Sequence, residues 1–139
     1  MSVADILLFT MALLQTPAGG PPRTVERGAQ SFIESPQQIV VRTPKDWATF
    51  WRSHAGDRQP PAVDFSKEMV VGVFSGSRPT AGHSVEIVRA VERDGNLVVE
   101  YVEKSPDPRA MTAQVITIPY HLVAIPNRPG EVKFERVAK

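Results

Sequence analysis

The sequence predicts an α+β fold: a mainly antiparallel, sandwich-like β-sheet domain with one packed helix at about residues 44–54. Three observations predict it. Met69 to Gly76 is an unbroken run of apolar residues and glycine around one serine, which is how a strand covered on both faces reads. Val85 to Lys104 alternates apolar and polar residues about an Asp94-Gly95 pair, as a half-buried hairpin does. Trp47, Phe50, Trp51 and His54 recur at helical spacing and form a stripe that belongs in a core.

At 139 residues, 42% of them hydrophobic, the chain has the length of a single domain and enough apolar material for one core. Its 13 prolines exceed the share of about 5% common in proteins and favour short strands over long helices. The net charge is +1 with the signs interspersed, so no basic face exists to neutralise phosphates, and nucleic acid is not expected as a partner. With no cysteine there is no disulfide framework and no lipid-attachment site, so packing alone must hold the domain.

The N-terminal stretch Ile6–Leu14 is apolar and is followed by Thr16-Pro17-Ala18, small residues where a signal peptidase cuts. It is too short for a bilayer, which needs about 20 residues. Residues 1–18 are therefore a candidate signal peptide, although Asp5 stands where such a peptide carries a base. Membrane contact is expected only through an uncleaved N-terminus, and the expected location is secreted or periplasmic, in a bacterial envelope. Gly19-Gly20-Pro21-Pro22 opens a stretch to residue 30 that reads as a flexible linker. The folded domain is then expected over 31–138.

Ser31–Glu34 and Gln38–Arg42 flank a Pro36 turn and read as two strands, or as one broken strand. Thr43 is a helix cap, Pro44 suits the first turn, and Asp46 sits beside the positive end of the helix dipole. In the hairpin, a two-residue turn at Asp94-Gly95 would set Glu86 against Glu103 and Leu97 against Glu92. A three-residue Arg93-Asp94-Gly95 loop with a glycine bulge places Val85, Ile87 and Val91 with Leu97, Val99 and Tyr101, and is preferred. Its misfit is Arg89, left on the inner face. Gln114–Ile118 reads as a strand broken by Pro119 that resumes at Tyr120. Val132 and Phe134 share one face of a last strand.

Catalytic patterns are few. Gly82-His83-Ser84-Val85-Glu86 lacks the last glycine of a nucleophile elbow and leads into a strand. His54, His83 and His121 lack metal-ligand spacing, and no phosphate-binding loop occurs. No catalytic residue, metal or cofactor is assigned. The loop joining the central strand to the hairpin, punctuated by Gly76, Pro79 and Gly82, is the candidate partner-binding site, carried by Arg78, Pro79, Thr80, Gly82, His83 and Ser84.

Asp64–Phe74, then Gly76-x-Arg78-Pro79-Thr80-x-Gly82-x-Ser84-Val85-Glu86-Ile87, then Pro119-Tyr120-His121-Leu122-Val123-x-Ile125-Pro126, resemble the C-terminal domain of the protease complex subunit PrcB family. The likeness extends over roughly Ser31 to Val137. Where that family usually reads Thr-Gly-Gly-Tyr-Ser, this chain has Thr80-Ala81-Gly82-His83-Ser84. The resemblance implies an exported, non-catalytic accessory or binding module whose protein partner is an extracytoplasmic protease, and it transfers no catalytic residue. The alternatives are a small metal-dependent hydrolase using His83 and His121, or a protease-inhibitor-like loop-binding domain. Oligomeric state is left open.

Overall fold

The computed structural model describes residues 22–138. Seven strands and one helix follow in the order β1 (Arg23–Gly28), β2 (Gln37–Val41), α1 (Pro44–Ala55), β3 (Glu68–Phe74), β4 (Ser84–Arg93), β5 (Asn96–Lys104), β6 (Tyr120–Pro126) and β7 (Val132–Arg136). Strands β1-β6-β3-β2 form a four-stranded antiparallel sheet. A second sheet, β4-β5-β7, is mixed, because β7 runs parallel to β5. The candidate signal peptide lies outside the described residues. Among those described, no helix is long and apolar enough to cross a membrane.

The central strand explains the layering. In β3, Met69, Val71 and Val73 project into the gap between the sheets, where they meet Val85, Ile87 and Ala90 of β4, Leu97 and Val99 of β5, and Val123 and Ile125 of β6. Val70 and Phe74 project the opposite way, onto Trp47 and Trp51 of α1, with Tyr120 and Leu122. An apolar strand without alternation is thus covered by a sheet on one face and a helix on the other. Thr43 caps α1 as its residue type requires: its hydroxyl accepts the Asp46 N–H at 3.1 Å, and Pro44 occupies the first turn. The two indoles close the helix layer by donating to backbone carbonyls, Trp47 to Pro61 at 3.1 Å and Trp51 to Arg58 at 2.7 Å.

Several expectations are corrected. Arg23–Gly28, within the stretch read as a linker, is strand β1, bulged between Thr24 and Glu26 and paired with β6. Its one strand-forming apolar residue, Val25, is outnumbered by charges because this is an exposed sheet edge. The folded unit therefore begins before residue 31. Ser31–Glu34 is not a strand, since the Ser31 hydroxyl takes the Ile33 N–H at 3.0 Å and turns the chain instead. Gln114–Ile118 is likewise irregular, with a single bridge from Thr117 to Arg78.

The hairpin turn differs as well. Arg93 pairs with Asn96, so the turn has two residues, Asp94 (φ 55°) and Gly95 (φ 81°), both left-handed as the primed hairpin turn demands. Glu92 does face Leu97, but a bulge between Ile87 and Arg89 keeps the two acids apart further along, so that Glu86 faces Val102 and Val85 faces Glu103. That bulge moves Arg89 to the outer face, where it pairs with Glu100, and Arg93 adds a second contact to the same carboxylate at 3.1 Å. Val91, expected on the inner face, instead shares the outer one. Gly95→Val is expected to lower stability by about 1 kcal/mol or more, because valine resists positive φ, while Asp94→Asn should be near neutral. Urea midpoints that coincide for wild type and Gly95→Val would contradict this turn.

Candidate functional site

Two places concentrate polar chemistry, and they lie on different layers. The first is the connection between β3 and β4. Far from standing open, it is laced to the long connection between β5 and β6. Arg78 and Thr117 exchange backbone hydrogen bonds at 2.7 and 2.9 Å, the Ala81 N–H reaches the Ala113 carbonyl at 3.0 Å, and the Thr117 hydroxyl donates to the Thr80 carbonyl at 2.9 Å. The Ser77 N–H donates to the Glu34 carbonyl at 3.0 Å. Gly82 takes φ 92°, and a Cβ there would stand 2.9 Å from Pro106, so this crossing of the two loops needs glycine.

These bonds sort the sequence-predicted residues. Pro79 and Gly82 are exposed, and Arg78, Thr80, His83 and Ser84 are half-buried. The Arg78 guanidinium lies 3.4 Å from Glu103, which Arg136 also approaches at 3.1 Å. Ser84 is the first residue of β4, paired with Lys104. Beside Arg78 a cleft of about 660 Å³ opens between the sheets, lined by Pro36, Gln37, Phe74, Tyr101 and Glu103 among others. The second loop supplies what sequence reading missed: Met111 is fully exposed, and Val115 and Ile116 stand 48% and 64% exposed. Val115 and Ile116 lie between the anchors at Ala113 and Thr117, across from Pro79 and Thr80. Three large apolar side chains are thus exposed on this platform loop, two of them between its backbone anchors and Met111 just before the first.

The second place surrounds His54, at the C-terminal end of α1. Glu26, from β1, accepts from the His54 Nε2–H at 3.0 Å and from Arg58 through both carboxylate oxygens at 3.0 and 3.1 Å. It also accepts a short hydrogen bond from the Tyr120 hydroxyl. Because the carboxylate can only accept, Nε2 carries the proton, and Nδ1 of the neutral ring accepts from the Ser31 hydroxyl at 2.7 Å. Burial pushes the Glu26 pKa up, but hydrogen bonds from Arg58, Tyr120 and His54 outweigh it and bring the value down to about 2. Burial dominates at His54, pushing its pKa below the ordinary histidine value against the pull of Glu26. At Tyr120, burial and the bond to Glu26 both push it up.

Ser31, His54 and Glu26 thus form a relay of the hydroxyl–imidazole–carboxylate kind beside a cleft of about 520 Å³ lined also by Phe32, Arg58 and Tyr120. Its remaining bonds engage the neighbouring backbone. The Ser31 oxygen already accepts the Ile33 N–H, and the neighbouring Phe32 N–H is spent on the His54 carbonyl at 2.9 Å, so neither amide is left to bind an oxyanion. The cluster joins β1, α1 and β6.

His83 and His121 do not combine with it. His121 faces the gap between the sheets, where its Nδ1 accepts the Ile87 N–H at 2.9 Å and its Nε2 lies 2.9 Å from the Thr24 hydroxyl. Both ring nitrogens are therefore engaged within the fold. Burial, helped by the charge of Arg27, lowers its pKa to about 4. His54 packs on the opposite face of the same sheet, against Phe74 and Tyr120.

Searches of curated proteins and of solved structures returned no match. A family model described as PrcB C-terminal does match, over residues 69–126, from the second residue of β3 to the last of β6. That stretch is narrower than the likeness read from the sequence. It takes in Arg78–Ser84 and the whole platform loop, but of the Glu26 cluster only Tyr120. Over residues 69–126 the chain thus matches the PrcB C-terminal family, the family that its sequence resembles.

Proposed function

We propose that this chain is an exported, non-catalytic binding module that docks on a protein of an extracytoplasmic protease complex through the paired connections 76–83 and 105–118. The observation that carries the reading is the platform itself: Met111, Val115 and Ile116 exposed on a loop whose backbone is tied to Arg78, Thr80 and Ala81. A surface already ordered before binding loses little entropy when a partner covers it, so exposed apolar area converts into affinity. Pro79 and the half-buried Arg78 and His83 border the platform and offer polar contacts at its rim. The family match covers both loops, which supports the association with a protease complex, and the apolar stretch before Thr16-Pro17-Ala18 supports export.

The test is capture of the extracytoplasmic protease from envelope extract with the chain as bait. Met111→Ser combined with Ile116→Ser is expected to reduce capture at least tenfold, equivalent to about 1.4 kcal/mol or more. Thermal unfolding should change little, since exposed side chains usually contribute within about 0.5 kcal/mol. Arg78→Ala with His83→Ala should weaken capture as well, by less, because Arg78 also holds Glu103. Undiminished capture by both double variants would place the binding surface elsewhere.

A further inference from the structure

The two sheets have four edge strands, and three of them are protected against pairing with another chain. β1 carries Arg23, Glu26 and Arg27 and a bulge; β4 carries a bulge together with Glu86, Arg89, Glu92 and Arg93; β7 carries Lys133, Glu135 and Arg136. Charges and bulges on edges are the usual means of preventing edge-to-edge association. β2 has neither. Its five residues, Gln37-Gln38-Ile39-Val40-Val41, pair with β3 in unbroken register, and Val40 is 36% exposed. In an antiparallel ladder alternate residues turn their N–H and C=O away from the partner strand. Among the described residues, no backbone hydrogen bond other than those of the β3 ladder involves positions 37–41.

The residues flanking this edge are complementary to themselves. Glu34 precedes it and Arg42 follows it. Arg42 donates to the Gly130 carbonyl at 2.6 Å, and neither residue has an ion-pair partner among the described residues. A two-fold axis beside Gln38 sets a second β2 antiparallel to the first, with Gln38 opposite its own copy, Gln37 opposite Ile39, Pro36 opposite Val40 and Glu34 opposite Arg42. Facing residues keep to one side of the sheet. Ile39 and Val41 lie on the helix side, whereas Gln38 reaches Tyr101 on the other. No like charges oppose, and both ends close with an acid against a base.

We propose that β2 is a self-association edge, on which a second copy of this chain adds antiparallel to join two four-stranded sheets into one continuous sheet. Five residues per strand bury less than the roughly 1,200 Å² of a stable interface, so the dimer is weak and forms as concentration rises.

Sedimentation velocity of the full chain, from micromolar to several hundred micromolar, tests it. The sedimentation coefficient is expected to rise from that of a monomer towards that of a dimer, and amides of residues 37–41 should gain exchange protection over the same range. Glu34→Arg or Arg42→Glu alone should weaken association about tenfold or more, because each places two like-charged pairs across the axis. The doubly reversed chain, Glu34→Arg with Arg42→Glu, should recover it. Val40→Lys, on an exposed position outside both cores, should abolish it without moving the thermal midpoint. A chain that stays monomeric throughout overturns the proposal, as does association that survives Val40→Lys or fails to return in the double reversal.

Discussion

Glu26→Ala should lower the stability of the domain by about 3 kcal/mol, the combined cost of leaving two buried donors without their acceptor. The loss falls on three neighbours at once. The His54 Nε2–H, on a side chain with no exposed surface, loses its acceptor, and so does the Tyr120 hydroxyl beside it. Leaving a buried donor without a partner costs about 1–3 kcal/mol each. Arg58, at the solvent edge of the cluster and stacked 5.0 Å from the Trp51 ring centre, can turn to water and adds little. Glu26→Gln should fall between wild type and alanine, since its amide oxygen still accepts from one neighbour. Urea denaturation of the three proteins at neutral pH checks the order. Near-identical midpoints would mean that β1 is held by its ladder to β6 alone.

Acidification should unfold the protein in two stages, the first set by His121. Its pKa is about 4 in the fold against 6.5 when free, so the unfolded chain takes up a proton that the folded chain refuses. Stability therefore decreases as pH falls through the interval from 6.5 to 4. At about 1.4 kcal/mol per pKa unit, the loss from His121 amounts to roughly 3 kcal/mol. The lowered His54 acts in the same direction. Glu26 governs the second stage: its pKa near 2 means that its contribution, fully present above about 4.5, disappears as pH falls towards 2. Denaturation midpoints between pH 7 and 4 should show the first decline, and His121→Gln should flatten it while leaving the second. A profile that is level from pH 7 to 5 in the wild type would refute the role given to His121.

The parts of this fold that the sequence discloses are those governed by neighbours in the chain. Thr43 and Pro44 start the helix through local hydrogen bonding, the indoles at 47 and 51 share a face by helical period, and Met69–Phe74 is apolar because it is covered twice. The hairpin was legible in substance. A bulge was needed to keep Glu86 from facing Glu103, and any position between turn and Glu86 would serve. The chain places it at Val88, where Arg89 could not stay inside, and leaves Asp94-Gly95 to form the tight turn that this dipeptide favours. What stayed hidden depends on pairing at long range. β1 is charged because it is an edge, and directly after Gly19–Pro22 it reads as more linker. Glu26, Ser31, His54, Arg58 and Tyr120 belong to separate elements and carry no mutual spacing to detect. The platform loop was visible only as a proline-bordered gap, since exposure of Met111, Val115 and Ile116 is decided by where Arg78 and Ala81 anchor the backbone.

The pairing of β1 with β6 also sets an order in time. Thr24 and His121, bonded side chain to side chain across that ladder, are 97 positions apart. Closing so large a loop costs entropy before any contact repays it, and sheets assembled from distant segments fold slowly. As the chain emerges from synthesis, β1 has no partner until β6 has appeared, and the Glu26 cluster cannot close before Tyr120 exists. The helix and the β4–β5 hairpin, by contrast, can form from local contacts. A nascent chain of this topology cannot close its four-stranded sheet until all but its last segment has been made.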